Sequence, residues 1–208
     1  GNDTLSSAGA DDTISGGGGS DSESGGGGSD HVAGGGGGDT MHGGGGDDTV
    51  SGGGGDDDVS GGGGDDDASG DGGSDDMTGG GGDDRLDGGN GGDTISGGAG
   101  SDTLTGGAGH DIFQFDGHSA DGSVDHITDF EAGDDTIDVS LVDADTGTDG
   151  NQAFSFVASF SGAAGQATLA YDSGSDATTA AFDVNGDGVA DMTIVVNGDV
   201  TAESGWVL

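Results

Sequence analysis

"GGNGGDTISGGAGSDTLTGGAGHDIFQ", residues 88–114, is one nine-residue phrase written three times. Each copy is a glycine-rich turn closed by Asp, followed two positions later by a large apolar residue: Asp93 and Ile95, Asp102 and Leu104, Asp111 and Phe113. Counting backwards by nines from Asp93 meets Asp84, Asp75, Asp66, Asp57, Asp48, Asp39, Asp30, Asp21, Asp12 and Asp3 without a miss. The position two residues further on holds Leu5, Ile14, Val32, Met41, Val50, Val59, Ala68, Met77 and Leu86, and departs from apolar character at Glu23. A fixed period of this kind marks a stacked repeat architecture. The unit predicts a turn whose backbone suits glycine, then a short strand with one inward apolar side chain.

Without the period, the composition would read as disorder. The 208 residues include 56 Gly, no Pro, 42 acidic residues and a single Arg, for a formal charge of −41. Self-repulsion at that density opposes a compact state, and a polyanion excludes nucleic acid and anionic membrane surfaces as partners. Cations remain as the attractive ligands. Cysteine is absent, so disulfides and thiolate sites are excluded, and no apolar run is long enough for membrane insertion as a helix. The opening "GNDTLSSAGA" reads as neither a signal peptide nor a natural start, and the chain is expected to be the C-terminal part of a larger protein. Over residues 1–36 a flexible linker competes with the roll, since "SSAGADD" lacks the usual glycines and Glu23 stands at a core position.

The phrase G-G-x-G-x-D-x-U-x resembles the calcium-binding nonapeptide of RTX proteins. The resemblance implies an all-β fold, a right-handed parallel β-roll with two nonapeptides per coil and multiple Ca²⁺ ions between stacked turns. It implies sites that pair Asp residues eighteen apart, drawn from Asp12, Asp21, Asp30, Asp39, Asp48, Asp57, Asp66, Asp75, Asp84, Asp93, Asp102 and Asp111. Main-chain carbonyls of the turns, at Gly88, Asn90, Gly97, Ala99, Gly106 and Ala108, would complete the shells. The chemistry agrees: Ca²⁺ is a hard ion that takes about six to eight oxygens, carboxylate and carbonyl alike. Turns stacked at about 4.8 Å would bring two carboxylates within reach of one ion. Folding is therefore expected to be linked to calcium binding. The extra acids Asp47, Asp56, Asp65 and Asp83 read as solvated charge, and Arg85 as a partner in a surface ion pair.

At residue 115 glycine thins out and apolar residues begin to alternate, so the domains are read as 1–114, the roll, and 115–208, a β-rich capping module. Its candidate core is Phe154, Phe156, Phe160, Leu169, Tyr171, Ile194, Val196 and Trp206. Within it, "DVNGDGVAD" sets Asp183, Asn185, Asp187 and Asp191 at positions 1, 3, 5 and 9 of an EF-hand-like loop, with Val189 placed to offer its carbonyl. Position 12 is Ile194 in place of a bidentate Glu, and both a calcium site and an Asx-rich turn held by its own hydrogen bonds fit. Asp125, Asp129, Asp134, Asp135 and Asp138 form a candidate site, or plain surface charge, where roll meets cap.

The pieces "DIFQF", "DHITDFEAGDDTIDVS", "NQAFSFV", "FSGAAGQATLAYD" and "DVNGDGVADMTIVVNG" resemble, in that order, the C-terminal module of serralysin-type secreted metalloproteases. That resemblance implies a roll cap and a type I secretion signal at the extreme C-terminus. Family signals commonly end in an acidic residue followed directly by hydrophobics, whereas here Glu203 is separated from Trp206, Val207 and Leu208. Nothing in the chain supplies a catalytic constellation: H-E-x-x-H is absent, and His31, His42, His110, His118 and His126 lack zinc spacing.

Two functional classes stand at this point. One is a calcium-binding extracellular module, exported unfolded through type I secretion machinery and folded by Ca²⁺ outside the cell. The alternative is a structural component of a surface layer, adhesin or filament, built by self-association of calcium-stiffened rolls.

Overall fold

In a computed structural model, which describes residues 1–145, 152–201 and 205–208, the described residues form twenty strands and no helix. The repeat region supplies β1 (Thr4–Ser6), β2 (Thr13–Gly18), β3 (Ser22–Gly27), β4 (His31–Gly36), β5 (Thr40–Gly45), β6 (Thr49–Gly54) and β7 (Asp58–Gly63). It continues with β8 (Asp67–Gly72), β9 (Asp76–Gly81), β10 (Arg85–Asn90), β11 (Thr94–Ala99), β12 (Thr103–Ala108) and β13 (Ile112–Gln114). Then follow β14 (Val124–Ile127), β15 (Thr136–Asp138), β16 (Ser155–Phe156), β17 (Gln166–Asp172), β18 (Ala177–Asp183), β19 (Met192–Asn197) and β20 (Trp206–Val207).

Odd and even strands of the repeats separate into two parallel sheets, because each nonapeptide turn carries the chain from one sheet to the other. Partners within a sheet are eighteen residues apart, as in Leu86↔Leu104 and Met77↔Ile95, so two nonapeptides make one coil of a parallel β-roll. The period-two strand geometry aims Asp84, Leu86 and Gly88 inward and Arg85 outward. One interior row runs Ile14, Val32, Val50, Ala68, Leu86 and Leu104, the facing row Met41, Val59, Met77, Ile95 and Phe113, and all are buried. Even Ala68 is sealed in. A single apolar residue per strand contributes only about 1.5–3 kcal/mol, less for Val and Ala, and no other apolar side chain enters the interior of a coil.

Both sheets run on past residue 114. Phe113 pairs with Ile137 and Ile137 with Trp206, while Leu104 pairs with Ile127 and Ile127 with Val196. The antiparallel strands β17, β18 and β19 then widen one sheet, and Phe154, Phe182 and Trp206 pack across the interior. Four expected core residues do not reach it fully: Phe156 and Leu169 pack against it half-buried, Phe160 is only half-buried, and Tyr171 is exposed on β17, where its hydroxyl donates to Asp176 at 2.8 Å. Asn151 and Glu203 lie outside the described residues.

The turns explain where glycine is needed. Gly91, the fourth residue of its turn, has φ +147°, and a methyl group there would overlap the carbonyl oxygen of Gly73 in the preceding coil. At the third position Gly81 faces open space, and other repeats place Asn90, Ala99 or Ala108 there. We therefore expect Gly91→Ala to destabilise the calcium-saturated chain by at least about 2 kcal/mol. Gly81→Ala should be neutral or stabilising by up to about 1 kcal/mol. Thermal unfolding of the two variants followed by circular dichroism compares them.

Candidate metal centre

The in-phase Asp residues fall into two rows, one along each edge of the roll where the chain passes between sheets. Asp21, Asp39, Asp57, Asp75, Asp93 and Asp111 line one edge, and Asp30, Asp48, Asp66, Asp84 and Asp102 the other. All eleven are buried. Their carboxylates are used in the same way. Oδ1 accepts the backbone N–H of the Asp eighteen residues earlier: Asp66 donates to Asp84 at 2.8 Å, Asp84 to Asp102 at 2.9 Å and Asp93 to Asp111 at 2.9 Å. Oδ2 is buried and has no hydrogen-bond partner in any of the eleven.

These orphaned oxygens converge with main-chain carbonyls on a space kept open by the first glycine of the turn. The point where a Cβ on Gly88 would sit lies 2.5 Å from Asp93 Oδ2 and 2.7 Å from the carbonyl of Gly106. At Gly43 the corresponding distances are 2.5 Å to Asp48 Oδ2 and 2.6 Å to the carbonyl of Gly61. The polar atoms nearest such a cradle are all oxygens, the ligand type that Ca²⁺ takes. The donor set suits a hard divalent cation and lacks the nitrogen or sulfur that zinc takes. Among the described residues no three acidic or histidine side chains gather on one metal-sized point, so main-chain oxygens must supply much of any shell.

Of the candidate carbonyls, those of Gly88, Gly97 and Gly106 face the cradles at Gly70, Gly79 and Gly88. Those of Asn90, Ala99 and Ala108 accept the N–H groups of Gly73, Gly82 and Gly91 at 2.8–2.9 Å, tying one turn to the next. Asp12 is half-buried, and its turn begins with Ser7, whose hydroxyl donates to the carbonyl of Gly25. Asp12 joins the ladder through its own N–H, which donates to Asp30 Oδ1 at 2.8 Å.

The ladder extends into the cap by residues that the nine-residue count passes over. Asp102 donates to Asp125 Oδ1 and Asp111 to Asp135 Oδ1, both at 3.1 Å, at separations of 23 and 24 residues. Asp129 accepts the N–H groups of Gly106 and Gly107 at 2.9 and 2.8 Å, capping the last turn. Asp134 lies exposed beside His110, and Asp138 closes a local turn through Ser140. A second ladder runs outside. Asp47, Asp65 and Asp83 accept the N–H of the residue eighteen later at 2.8–3.1 Å, and Asp56 accepts that of Ser74 at 2.9 Å, so these acids brace the turns from the solvent side. Arg85 is an exposed neighbour of Asp67 and Asp87 at 3.8 and 3.9 Å.

The loop 183–191 closes on itself. Asp183 accepts the N–H groups of Gly186 and Gly188, Asn185 that of Asp187, and Asp187 that of Val189. Asp191 accepts from Val184 at 2.8 Å and from the side-chain amide of Asn185 at 2.7 Å. Val189 is exposed.

Burial without a counter-charge shows in the protonation of the inner row. The carboxyls of Asp66 and Asp75 are pushed up to about 6 and those of Asp84 and Asp125 to about 7. Desolvation is the main cause; neighbouring carboxylates add to it and the donated N–H opposes it. A carboxyl whose pKa is higher folded than unfolded favours the fold while it is protonated. That contribution is full below about pH 4 and is lost as pH rises through about 6 to 7. In excess chelator, β-structure should accordingly increase when pH is lowered from about 7.5 to about 4.5, and saturating calcium should abolish or reverse the trend. Far-ultraviolet circular dichroism reads this; a chelated chain equally unfolded at both pH values would contradict it.

The whole chain, residues 1–208, matches the family model described as the peptidase M10 serralysin C terminal. Metallopeptidase AprA of Pseudomonas marginalis is 37% identical over 87 residues, which cover 42% of this chain and 17% of that protein. Among solved structures, the AlgE6R2 subunit of the Azotobacter vinelandii mannuronan C5-epimerase is similar at 23% identity and a TM-score of 0.49, covering 74% of this chain and 88% of that one. The AlgE6R3 subunit of the same epimerase is also 23% identical, at a TM-score of 0.33, covering 78% of each chain. With two ladders of buried aspartates on a parallel roll and a family match from first residue to last, the chain belongs to the serralysin C-terminal family of M10 peptidases.

Proposed function

We propose that this chain is a calcium-binding module whose β-roll, at neutral pH, folds only when Ca²⁺ fills the cradles along its two edges. The observation that carries the proposal is the row of buried Oδ2 atoms without partners. Eleven such oxygens are too costly to bury bare, since each unpaired carboxylate carries a desolvation penalty that the small core cannot offset. A bound Ca²⁺ would supply positive charge where the carboxylates meet. The chain's own residues do the rest: Asp Oδ2 and the first carbonyl of the turn point at the ion, Oδ1 fixes the spacing of successive coils, and glycine keeps the space open. The roll 1–114 holds the ions, and residues 115–208 continue both sheets and cover one end of the core.

This linkage suits a protein exported before it folds. In a cytoplasm poor in calcium the carboxylates repel and the chain stays unfolded, fit to thread a type I channel; outside the cell, abundant calcium drives folding. We infer that the module is secreted and serves as the C-terminal part of a larger extracellular protein. The similarity to a metallopeptidase of which it spans 17% supports a peptidase domain as its companion.

Two measurements test this. Titration of the chelated chain at neutral pH should convert a disordered circular dichroism spectrum to β-structure by millimolar calcium, and β-structure that persists in excess chelator would sink the proposal. Asp102→Ala, which removes an inward Oδ2, should raise the calcium midpoint of folding by about tenfold or more. Asp56→Ala, which removes only an exposed acceptor, should change stability by no more than about 0.5 kcal/mol. Equal effects would contradict the assignment of inner and outer acids.

A further inference from the structure

Glu23 is the exception in the interior. It stands in β3 between Leu5 and Met41 of the neighbouring strands, at the position every other repeat fills with an apolar residue. It is 1% exposed, and both of its carboxylate oxygens are buried without a hydrogen-bond partner. The lone arginine is far along the chain on the outer surface, beside Asp67 and Asp87. An ionised carboxylate in that position, left bare, would be among the most unfavourable groups in the molecule.

Its direction supplies the reason. The open space at Gly16, the first glycine of the turn that ends in Asp21, is bordered by Glu23 Oε1 as well as by Asp21 Oδ2, the latter 2.6 Å from where a Cβ would sit. In the equivalent cradles at Gly34, Gly52 and Gly88, the nearest oxygens are the Asp Oδ2 and a glycine carbonyl, and no second side chain comes as close. Glu23 thus reaches from the core row into the cradle of its own turn, where its carboxylate meets that of Asp21.

We propose that Glu23 is a calcium ligand, and that Asp21 and Glu23 together hold one divalent cation from the interior of the roll. This rests on the calcium reading of the other turns and adds to it a two-carboxylate site outside the nonapeptide pattern. A core position is thereby exchanged for an ion: the row gives up apolar packing between Leu5 and Met41, and a second charged ligand offsets it. The same geometry accounts for the otherwise unexplained burial, because with an ion in the cradle neither carboxylate faces a low-dielectric interior alone.

The test compares the whole chain with Glu23→Leu and Glu23→Gln across a calcium titration, following bound ions by equilibrium dialysis. Leucine restores the residue type used elsewhere in the row and leaves Asp21 with a one-carboxylate cradle like those of the other turns, so the variant should fold, with a calcium-dependent β-sheet spectrum, and bind one ion at least about tenfold more weakly than the natural chain. Glu23→Gln should retain the ion at weaker affinity, about tenfold. A binding isotherm in Glu23→Leu that superimposes on that of the natural chain would overturn the proposal while leaving the calcium reading of the Asp rows intact; no bound calcium in any form would overturn both. A second readout needs no stable variant. The chain has three glutamates, Glu23, Glu131 and Glu203, so side-chain carboxyl ¹³C labelling gives three resonances. At saturating calcium and about pH 6 the Glu23 carbon should report an ionised group; a protonated carboxyl there would also overturn the assignment.

Discussion

The structure depends on the stacking of like charges at the distance of a β-sheet. Parallel coils are about 4.8 Å apart, and the repeat places a buried carboxylate in the same place in each of them. The backbone cannot relieve this. It supplies one N–H to each inner carboxylate, from the Asp of the preceding coil, and that bond satisfies Oδ1 alone. The other oxygen is directed into a space that glycine preserves. The same contact that sets the register of the roll therefore leaves it charged inside, and the unmet demand is for a cation that prefers oxygen ligands.

The rest of the architecture follows from how little else there is. Each strand of the roll has one apolar residue for its core, and in places that residue is Val or Ala. Hydrophobic burial on that scale does not offset the entropy of ordering turns so rich in glycine. The cap is built on the opposite principle. Phe154, Phe182 and Trp206 pack in edge or tilted contacts, and antiparallel pairs among β17, β18 and β19 join the parallel ones. The two regimes are joined without a break in either sheet: Asp125 and Asp135 extend the inner ladders, and Asp129 takes up the free N–H groups of the last turn.

Much of this is legible in the sequence because the physical repeat and the chemical repeat have the same period. An inward Asp and a core residue recurring in steps of nine specify strand, turn and register together, and the alternation after residue 115 marks where another kind of core begins. What is not legible lies where the period is broken or the residue type is ambiguous. Asp125 and Asp135 accept the same N–H through Oδ1 as in-phase aspartates do, but the insertions before them shift the spacing to 23 and 24, and only the folded chain shows that the ladder persists. Asp47, Asp65 and Asp83 read as plain surface charge. They are exposed, yet each braces the next coil, and nothing in residue type separates a solvated Asp from one that accepts a backbone N–H. Glu23 reads as a flaw in the core row; its position in the row is right, but the direction of its side chain belongs to the turn beside it. Tyr171 follows the period-two pattern of β17 but is exposed, because alternation fixes which residues share a face and not which of them are covered.

The most direct test of calcium as the missing interior charge is an anomalous-scattering map from crystals of the chain grown in calcium. Two files of peaks should appear, one along each edge of the roll, each peak beside an inward Asp Oδ2 and a first-position carbonyl. A roll that is fully formed with no peaks along those edges would contradict calcium as the charge that closes it.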